Sequence, residues 1–583
     1  MIQKIISLIV AFIMSAGSVS AFSLSGVRDA FTVALFGLPC TDEAVNEDYA
    51  DELSDAEVIV KDRVSGFFRN KLMLILSPGT GFFEKKALFA KEGLSVIGWC
   101  TPVELYVVRY AFAGFSDMEK ECEKLEKNPA VIAAMPLTAS KVTPQFTPDD
   151  PFESESLPVW DELRPSGDNW WLEATEARRA WDYSGYFSPV TLGITDSGFD
   201  TGHREFEGKI TFPSSRQARL NEPSAHGNHV AGIIAAAQNN GYGISGICPH
   251  ATLICEDWHH EEKKLWNSDL NIFIDFVLGV MKGAKVLNFS LGSSSSIAAG
   301  ENSLSDFSIK AESFFYSYAM SRLLKRGYDF LVVQSAGNGN EEGKSVDARN
   351  AGLFASVFSD NRLTILKKSD LSDIMDHIIL VGAARSRGGG KYMQTTYSNS
   401  GPEVEIAAPG SGIYSCTYPE EFGYMGGTSM AAPMVTGAAG LIWSVNPSLS
   451  GSEVKKILIS SADKTASAND DDFYIGNYEK RDLPMLNIRL CVEEALRRAH
   501  PDFGTVTGTA DGAQTVVYAE KSYTVLSDGT FGFLVPAGEG EITALDENGE
   551  VIYTASVAVS GGETSEIIFT PPEEEPEEGT ENG

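Results

Sequence analysis

The chain has 583 residues, 43% of them hydrophobic and 22% charged, so it can bury a large core spread over several domains. Its formal net charge of −34 argues against nucleic acid or an anionic membrane as partner, because both select positive charge. An acidic surface keeps a protein soluble and could draw in basic substrates.

The first 21 residues read as an export signal. Lys4 supplies a thin positive start, Ile5 to Met14 an apolar run of signal length, and Val19-Ser20-Ala21 a small-residue end at the expected spacing. Cleavage is expected after Ala21. Residues 27–39 are partly apolar, but Arg28 and Asp29 interrupt them, and no other segment predicts a membrane span. The cysteines stand at positions 40, 100, 122, 248, 255, 416 and 491, none with zinc-site spacing. Cys248 and Cys255 are close enough in sequence to pair, and the odd total leaves at least one thiol outside any internal bridge.

Residues 70–136 predict a small α+β unit. Leu72 to Leu76, Leu94 to Trp99, Val103 to Tyr110 and Ala130 to Met135 read as strands, and Phe83 to Lys91 and Ser116 to Lys127 as helices. The order strand, helix, strand, strand, helix, strand is the ferredoxin-like pattern. A polar, proline-rich linker follows from Thr143 to Pro165. From Asn169 to about His500, apolar strands such as Val190 to Ile194, Val286 to Phe289 and Phe330 to Val333 alternate with helix-like stretches. This predicts a parallel sheet flanked by helices. Past Phe503, short alternating runs are punctuated at Asp528-Gly529, Pro536-Ala537-Gly538 and Glu547-Asn548-Gly549, which predicts a small all-β sandwich. The end, from Pro571, is acidic, lacks apolar anchors and should be disordered. The expected domains are a signal (1–21), an α+β unit with linker (22–150), an α/β domain (151–502), a sandwich (503–570) and an acidic tail (571–583).

Four positions in the α/β region carry chemistry. Asp196 ends an apolar strand, where open α/β sheets place their sites, although such a residue is often only a turn. His226 opens the small, apolar stretch His226-Gly227-Asn228-His229-Val230-Ala231-Gly232, which suits a buried helix. His226 and His229 could share a metal, but no acidic residue stands at zincin spacing, so His229 reads as a supporting histidine. Ser429 begins a small-residue helix, where the N-terminal potential favours developing negative charge and a backbone N–H can donate. The bland alternative is a helix-capping serine. Pro433 is tolerated there if it falls in the first turn. Asn338, in Ser335-Ala336-Gly337-Asn338-Gly339, offers an amide donor after a strand; a plain turn is the alternative.

Five stretches in order resemble the subtilisin-like serine proteases, the subtilases. They are Thr195-Asp196-Ser197-Gly198, His226 to Gly232, Asn288-Phe289-Ser290-Leu291-Gly292, Ser335 to Asn338, and Gly427-Thr428-Ser429-Met430-Ala431-Ala432-Pro433. The resemblance implies a subtilisin-like α/β fold and an Asp-His-Ser triad in that chain order. It implies Ser429 as nucleophile, His226 as general base and then acid, Asp196 as the group that orients the imidazole, and Asn338 as oxyanion donor. It further implies that Ser290, Leu291 and Gly292 form an edge strand pairing with substrate backbone, and that Ser335, Ala336 and Gly337 line the substrate site.

By the same resemblance the α+β unit is an inhibitory propeptide, and the protein is a secreted endopeptidase made as a zymogen. Its partners are protein or peptide substrates and its own propeptide. The chemistry needs no cofactor. Many subtilases bind structural calcium, but no stretch here matches a calcium site, and Asp470-Asp471-Asp472 reads as a solvated loop. Asp528 to Gly538 resembles an accessory sandwich of the prealbumin-like, carboxypeptidase-regulatory type. The segments Ser293 to Asp329 and Glu341 to Asp376 are longer than the family pattern and could reshape the cleft. The rival reading is a catalytically inactive subtilase-fold binding or adhesion protein, which would need a broken triad. An esterase is disfavoured, because the serine lies in Gly-Thr-Ser-Met-Ala and not in a G-x-S-x-G elbow.

Overall fold

In a computed structural model the described residues are 65–110, 115–140, 142–144, 170–212, 226–257, 267–293, 306–339, 344–358, 368–469, 474–475, 480–526 and 528–569, with short pieces between 29 and 60. The expected signal, the acidic tail, Asp470-Asp471-Asp472 and nearly all of the linker lie outside them. The chain forms two compact units, one of residues 1–140 with 264–274 and one of 141–263 with 275–583.

In the first unit, strands β1 (Ser65–Leu76), β2 (Ser95–Cys100), β3 (Leu105–Arg109) and β4 (Val131–Ser140) alternate with helices α1 (Phe82–Lys91) and α2 (Phe115–Leu125). The sheet is antiparallel, in the order β4-β1-β3-β2. Leu72, Leu74 and Leu76 point to one face of β1, as a period of two requires, and meet Leu88, Phe89, Met118 and Leu125 from the helices. Lys85 is buried and pairs with Glu104 at 2.6 Å, so neither charge is left uncompensated in the core.

The second unit is built on a ten-stranded sheet. Its parallel centre consists of β6 (Thr191–Asp196), β7 (Thr252–Asp257), β8 (Val286–Phe289), β10 (Leu331–Ser335), β11 (Ile378–Ser386) and β12 (Val404–Pro409), lying in the order β7-β6-β8-β10-β11-β12. Residues such as Leu192, Leu287, Val332, Leu380 and Ile406 are fully or almost fully buried, because both faces of the sheet are covered. Strand order reverses between β6 and β8. At such a switch point the connections leave in opposite directions and open a crevice beyond the carboxyl ends of the strands. Between β8 and β10 comes β9 (Leu291–Ser293), which lies outside this sheet and pairs antiparallel with β5 (Val142–Pro144). The long segment after β9 contains the 20-residue helix Asp306–Lys325.

Helices α3 (His226–Ala235) and α4 (Thr428–Val445) are buried along their whole lengths. Their small residues permit this: a Cβ added at Gly440 would come 2.9 Å from Leu192 Cδ1, and one at Gly232 would come 2.4 Å from Ser415 Oγ. His229 donates from Nε2 to the carbonyls of Ile413 (3.0 Å) and Gly423 (3.2 Å), in the hairpin β13 (Ile413–Thr417) and β14 (Glu421–Met425). Burial holds its pKa down at about 3, so it is a neutral structural histidine.

Past α5 (Ile488–Ala499) the chain enters two antiparallel-rich sheets. One joins Thr530–Pro536, Phe503–Thr509 and Thr564–Ile568; the other joins Lys521–Thr524, Thr515–Tyr518, Gly538–Leu545 and Val551–Val559. Phe531, Phe533 and Val535 point inward. The core does not stop at residue 503, since Phe503, Val506 and Phe533 belong to the same buried cluster as Leu192 and Ile194. Buried Tyr183 fastens the join: its hydroxyl donates to Glu493 (2.8 Å) and accepts the N–H of Leu534 (2.8 Å), while Arg179 donates to the Gly532 carbonyl (3.0 Å). All seven cysteines are free thiols, Cys248 and Cys255 included. Both of these are buried, which pushes their thiols up and keeps them protonated.

The turn after α3 is tied by Glu205, which accepts from Ile244 N–H (2.9 Å) and Asn240 Nδ2 (3.0 Å). Burial pushes its pKa from 4.5 to about 7. The unfolded chain therefore releases this proton before the folded one does. The associated stability is complete below pH 4.5 and declines as pH rises to about 7. Glu205→Gln is expected to flatten that decline, read as the thermal midpoint against pH between 4.5 and 7; an unchanged slope would assign it to another group.

Candidate active site

The crevice at the switch point is assembled from strand ends. Asp196 is the last residue of β6, and its carboxylate is buried. Oδ1 accepts the N–H of Ser197 at 2.7 Å and Nδ1–H of His226 at 2.6 Å. The first bond fixes the carboxylate; the second selects the imidazole tautomer with its proton on Nδ1 and leaves Nε2 as the acceptor. His226 Nε2 is buried and has no hydrogen-bond partner among the described residues.

His226 is aimed by its own helix end. The carbonyls of Ser197 and Gly198, just past Asp196, accept the N–H groups of Gly227 (2.6 Å) and Asn228 (3.1 Å). They thereby satisfy donors that a helix start leaves open. The approach is so close that a Cβ at Gly227 would stand 2.8 Å from Ser197 O and 2.9 Å from Phe199 Cζ. Asn228 adds a third tie, accepting the N–H of Asp200 at 2.7 Å.

Ser429 is the second residue of α4, entered through Gly427 at φ 146°, a conformation that only glycine adopts without strain. Pro433 is the sixth residue of this helix, so it lies beyond the first turn expected from sequence. A proline there removes the N–H that would bond the carbonyl four residues back, which is that of Ser429. Ser290 supplies the missing donor: its Oγ donates to Ser429 O at 2.8 Å. The Ser429 hydroxyl in turn donates to the Ser290 carbonyl at 3.1 Å. Ser290 is held by Asn288 Nδ2 (2.9 Å), and Asn288 accepts from Thr436 Oγ1 (3.0 Å). The chain Thr436–Asn288–Ser290–Ser429 is entirely buried, so each polar atom depends on its neighbour.

Asn338 follows β10, and its Oδ1 accepts both the N–H (2.8 Å) and the hydroxyl (2.9 Å) of Thr428. With the oxygen so engaged, the NH2 group is the end of the amide that can donate to another oxygen. Gly337 N–H donates to the same Thr428 hydroxyl at 3.1 Å, and Ser335 closes β10 at the same end of the sheet. Ser335 and Ala336 are fully buried. Leu291 and Gly292 lie in β9 and Ser290 immediately precedes it. Thr428 is the functional residue that sequence reasoning misses; its place next to the serine is the only signal the sequence offers for it.

No group of three or more His, Cys, Asp or Glu among the described residues could hold a metal ion. No described helix is long and apolar enough to cross a membrane.

Comparison with known proteins agrees with this architecture. The model of the subtilase family matches residues 188–477. Subtilisin DY of Bacillus licheniformis is 32% identical over 296 residues, 49% of this chain and 87% of that protein. Thermitase of Thermoactinomyces vulgaris is 27% identical over 328 residues, 55% of this chain and 92% of that protein. Among solved structures, fervidolysin from Fervidobacterium pennivorans, described as a keratinolytic enzyme related to subtilisin, shares the fold. The TM-score is 0.52 at 17% identity, over 87% of this chain and 79% of that one.

Thr428→Val keeps the side-chain volume but removes the hydroxyl that braces Asn338 and Gly337. Labelling of Ser429 by a fluorophosphonate is expected to slow by about tenfold, the worth of one buried hydrogen bond. Unchanged labelling would mean that the backbone bond from Thr428 suffices.

Proposed function

This chain belongs to the subtilase family of serine-type peptidases, and we propose that it is an exported endopeptidase made as a zymogen. Its site is Asp196, His226, Ser429 and Asn338. The reading is carried by one observation: the 2.6 Å bond from His226 Nδ1 to Asp196, which presents Nε2 as the base. His226 Nε2 takes the Ser429 proton as Oγ attacks a peptide carbonyl, and then delivers it to the leaving amine. Asp196, bonded to Nδ1–H, holds the ring and stabilises the imidazolium that forms. The negative oxygen of the tetrahedral intermediate is received by Asn338 Nδ2 and the Ser429 backbone N–H. Water then hydrolyses the ester by the reverse proton path. The reaction requires no cofactor.

Substrate backbone pairs with Ser290, Leu291 and Gly292, while Ser335, Ala336 and Gly337 line the pocket beside the cut bond. In this reading residues 1–21 direct export, residues 22–150 are the propeptide with its linker, residues 151–502 are catalytic, and 503–570 form an accessory sandwich. Substrates are proteins or peptides, and the propeptide is an intramolecular inhibitor. The buried union of Tyr183 with Glu493 and Leu534 supports a bracing role for the sandwich.

Ser429→Ala is expected to abolish peptide hydrolysis and self-removal of the propeptide, measured with a fluorogenic peptide and by gel. Persistence of either at the original rate contradicts the assignment. Asn338→Ala is expected to lower kcat by about 10²–10³, the loss known for the equivalent donor in subtilisin itself, with KM nearly unchanged. Equal loss in kcat and KM would count against the oxyanion role.

A further inference from the structure

The amide of Asn338 can serve as a fixed donor only if the backbone that carries it is fixed, and its own neighbours do little to fix it. Asn338 stands between Gly337 at φ 102° and Gly339 at φ 79°, and glycine backbones have the widest freedom to turn. Thr428 braces the side-chain oxygen of Asn338 and accepts the N–H of Gly337. Further backbone ties come from Asn399, which is only 4% exposed. Its N–H donates to the Gly337 carbonyl at 2.9 Å. Its Oδ1 accepts the N–H of Gly339 at 3.0 Å and that of Val346 at 3.1 Å. One residue thus grips the chain immediately before and immediately after Asn338. Asn399 is itself held on both sides. Ser398 Oγ accepts the N–H of Ala383 in β11 at 3.0 Å, and Ser400 donates its N–H to the Val346 carbonyl at 3.0 Å and accepts that of Ala348 at 2.9 Å.

From this geometry we propose that Asn399 is a positioning residue of the oxyanion site, setting through the backbone the direction in which Asn338 Nδ2 points. The inference rests on the proteolytic reading above and on the role given there to Asn338. An asparagine suits the task, because an amide oxygen has two lone pairs and accepts both N–H groups while staying uncharged. A carboxylate would offer the same two bonds but would set a negative charge beside the residue that receives the oxyanion, where like charges repel. A donor aimed in advance costs no reorganisation as charge develops on the carbonyl oxygen. Loss of the Asn399 side chain releases Gly339 but leaves the backbone bond to Gly337 in place. Its effect therefore falls on an interaction made in the transition state, and so on kcat, while Ser290, Leu291 and Gly292 keep their places for substrate backbone.

The test is a double-mutant cycle on protein expressed from the full chain. It uses a fluorogenic peptide as substrate and counts active sites by exhaustive fluorophosphonate labelling of Ser429. Asn399→Ala is expected to lower kcat by about tenfold, the worth of one buried hydrogen bond, with KM changed by less than about twofold. Added to Asn338→Ala, the same substitution is expected to lower kcat by less than about twofold, because no amide is left to aim. Asn399→Ser, whose shorter hydroxyl cannot bridge both N–H groups, is carried through the same cycle and decides the matter if the alanine variant does not fold. It is expected to show a smaller loss with the same non-additivity. A loss of equal size with and without the Asn338 amide, a loss confined to KM, or an unchanged kcat would overturn the role of Asn399 and leave the proteolytic reading standing. Absence of Ser429-dependent peptide hydrolysis from the unsubstituted protein would overturn the proteolytic reading itself.

Discussion

One short hydrogen bond, from His226 Nδ1 to Asp196 Oδ1 at 2.6 Å, sets the direction of the site. It matters because an imidazole has two nitrogens and can accept a proton usefully at only one. Asp196 can impose the choice because its carboxylate is itself fixed, buried at a strand end and bonded to Ser197 N–H. The histidine helix begins against the carbonyls of Ser197 and Gly198, so the same turn that positions the carboxylate also positions the ring. Strand reversal between β6 and β8 provides the space in which this happens.

The remaining polar groups are arranged so that removing one exposes another. Pro433 deprives the Ser429 carbonyl of its helical donor, and Ser290 replaces it. Thr428 occupies the oxygen of Asn338, which orients the amide nitrogen. A network of this kind, surrounded by apolar residues, tolerates few alternatives, because a buried polar atom without a partner costs about 1–3 kcal/mol. Both helices that carry the network are packed closely into the core, α3 at Gly232 against Ser415 and α4 at Gly440 against Leu192, where a Cβ would not fit.

Much of this is legible in the sequence, for identifiable reasons. Strand-ending Asp196, the small-residue helices at His226 and Ser429, and Asn338 after a strand are local patterns, and their order along the chain joins them into one family resemblance. What stays hidden is non-local. The role of Ser290 as donor to Ser429 depends on residues 139 positions apart, and the Tyr183–Leu534 bond spans 351. No local pattern shows that the core runs on past Phe503, or that Cys248 and Cys255 remain separate thiols. The sequence does not place Pro433 beyond the first turn, because the start of α4 at Thr428 depends on the positive φ of Gly427, which composition does not reveal.

The central claim is that Asp196, His226, Ser429 and Asn338 act as one unit on a single carbonyl. The most direct measurement is a crystal structure of the protein after reaction with a peptidyl phosphonate. The account expects phosphorus bonded to Ser429 Oγ, a phosphonyl oxygen between Asn338 Nδ2 and the Ser429 N–H, and His226 Nε2 within hydrogen-bond reach of the adduct. An adduct on another residue, or His226 turned away from a modified Ser429, would contradict it.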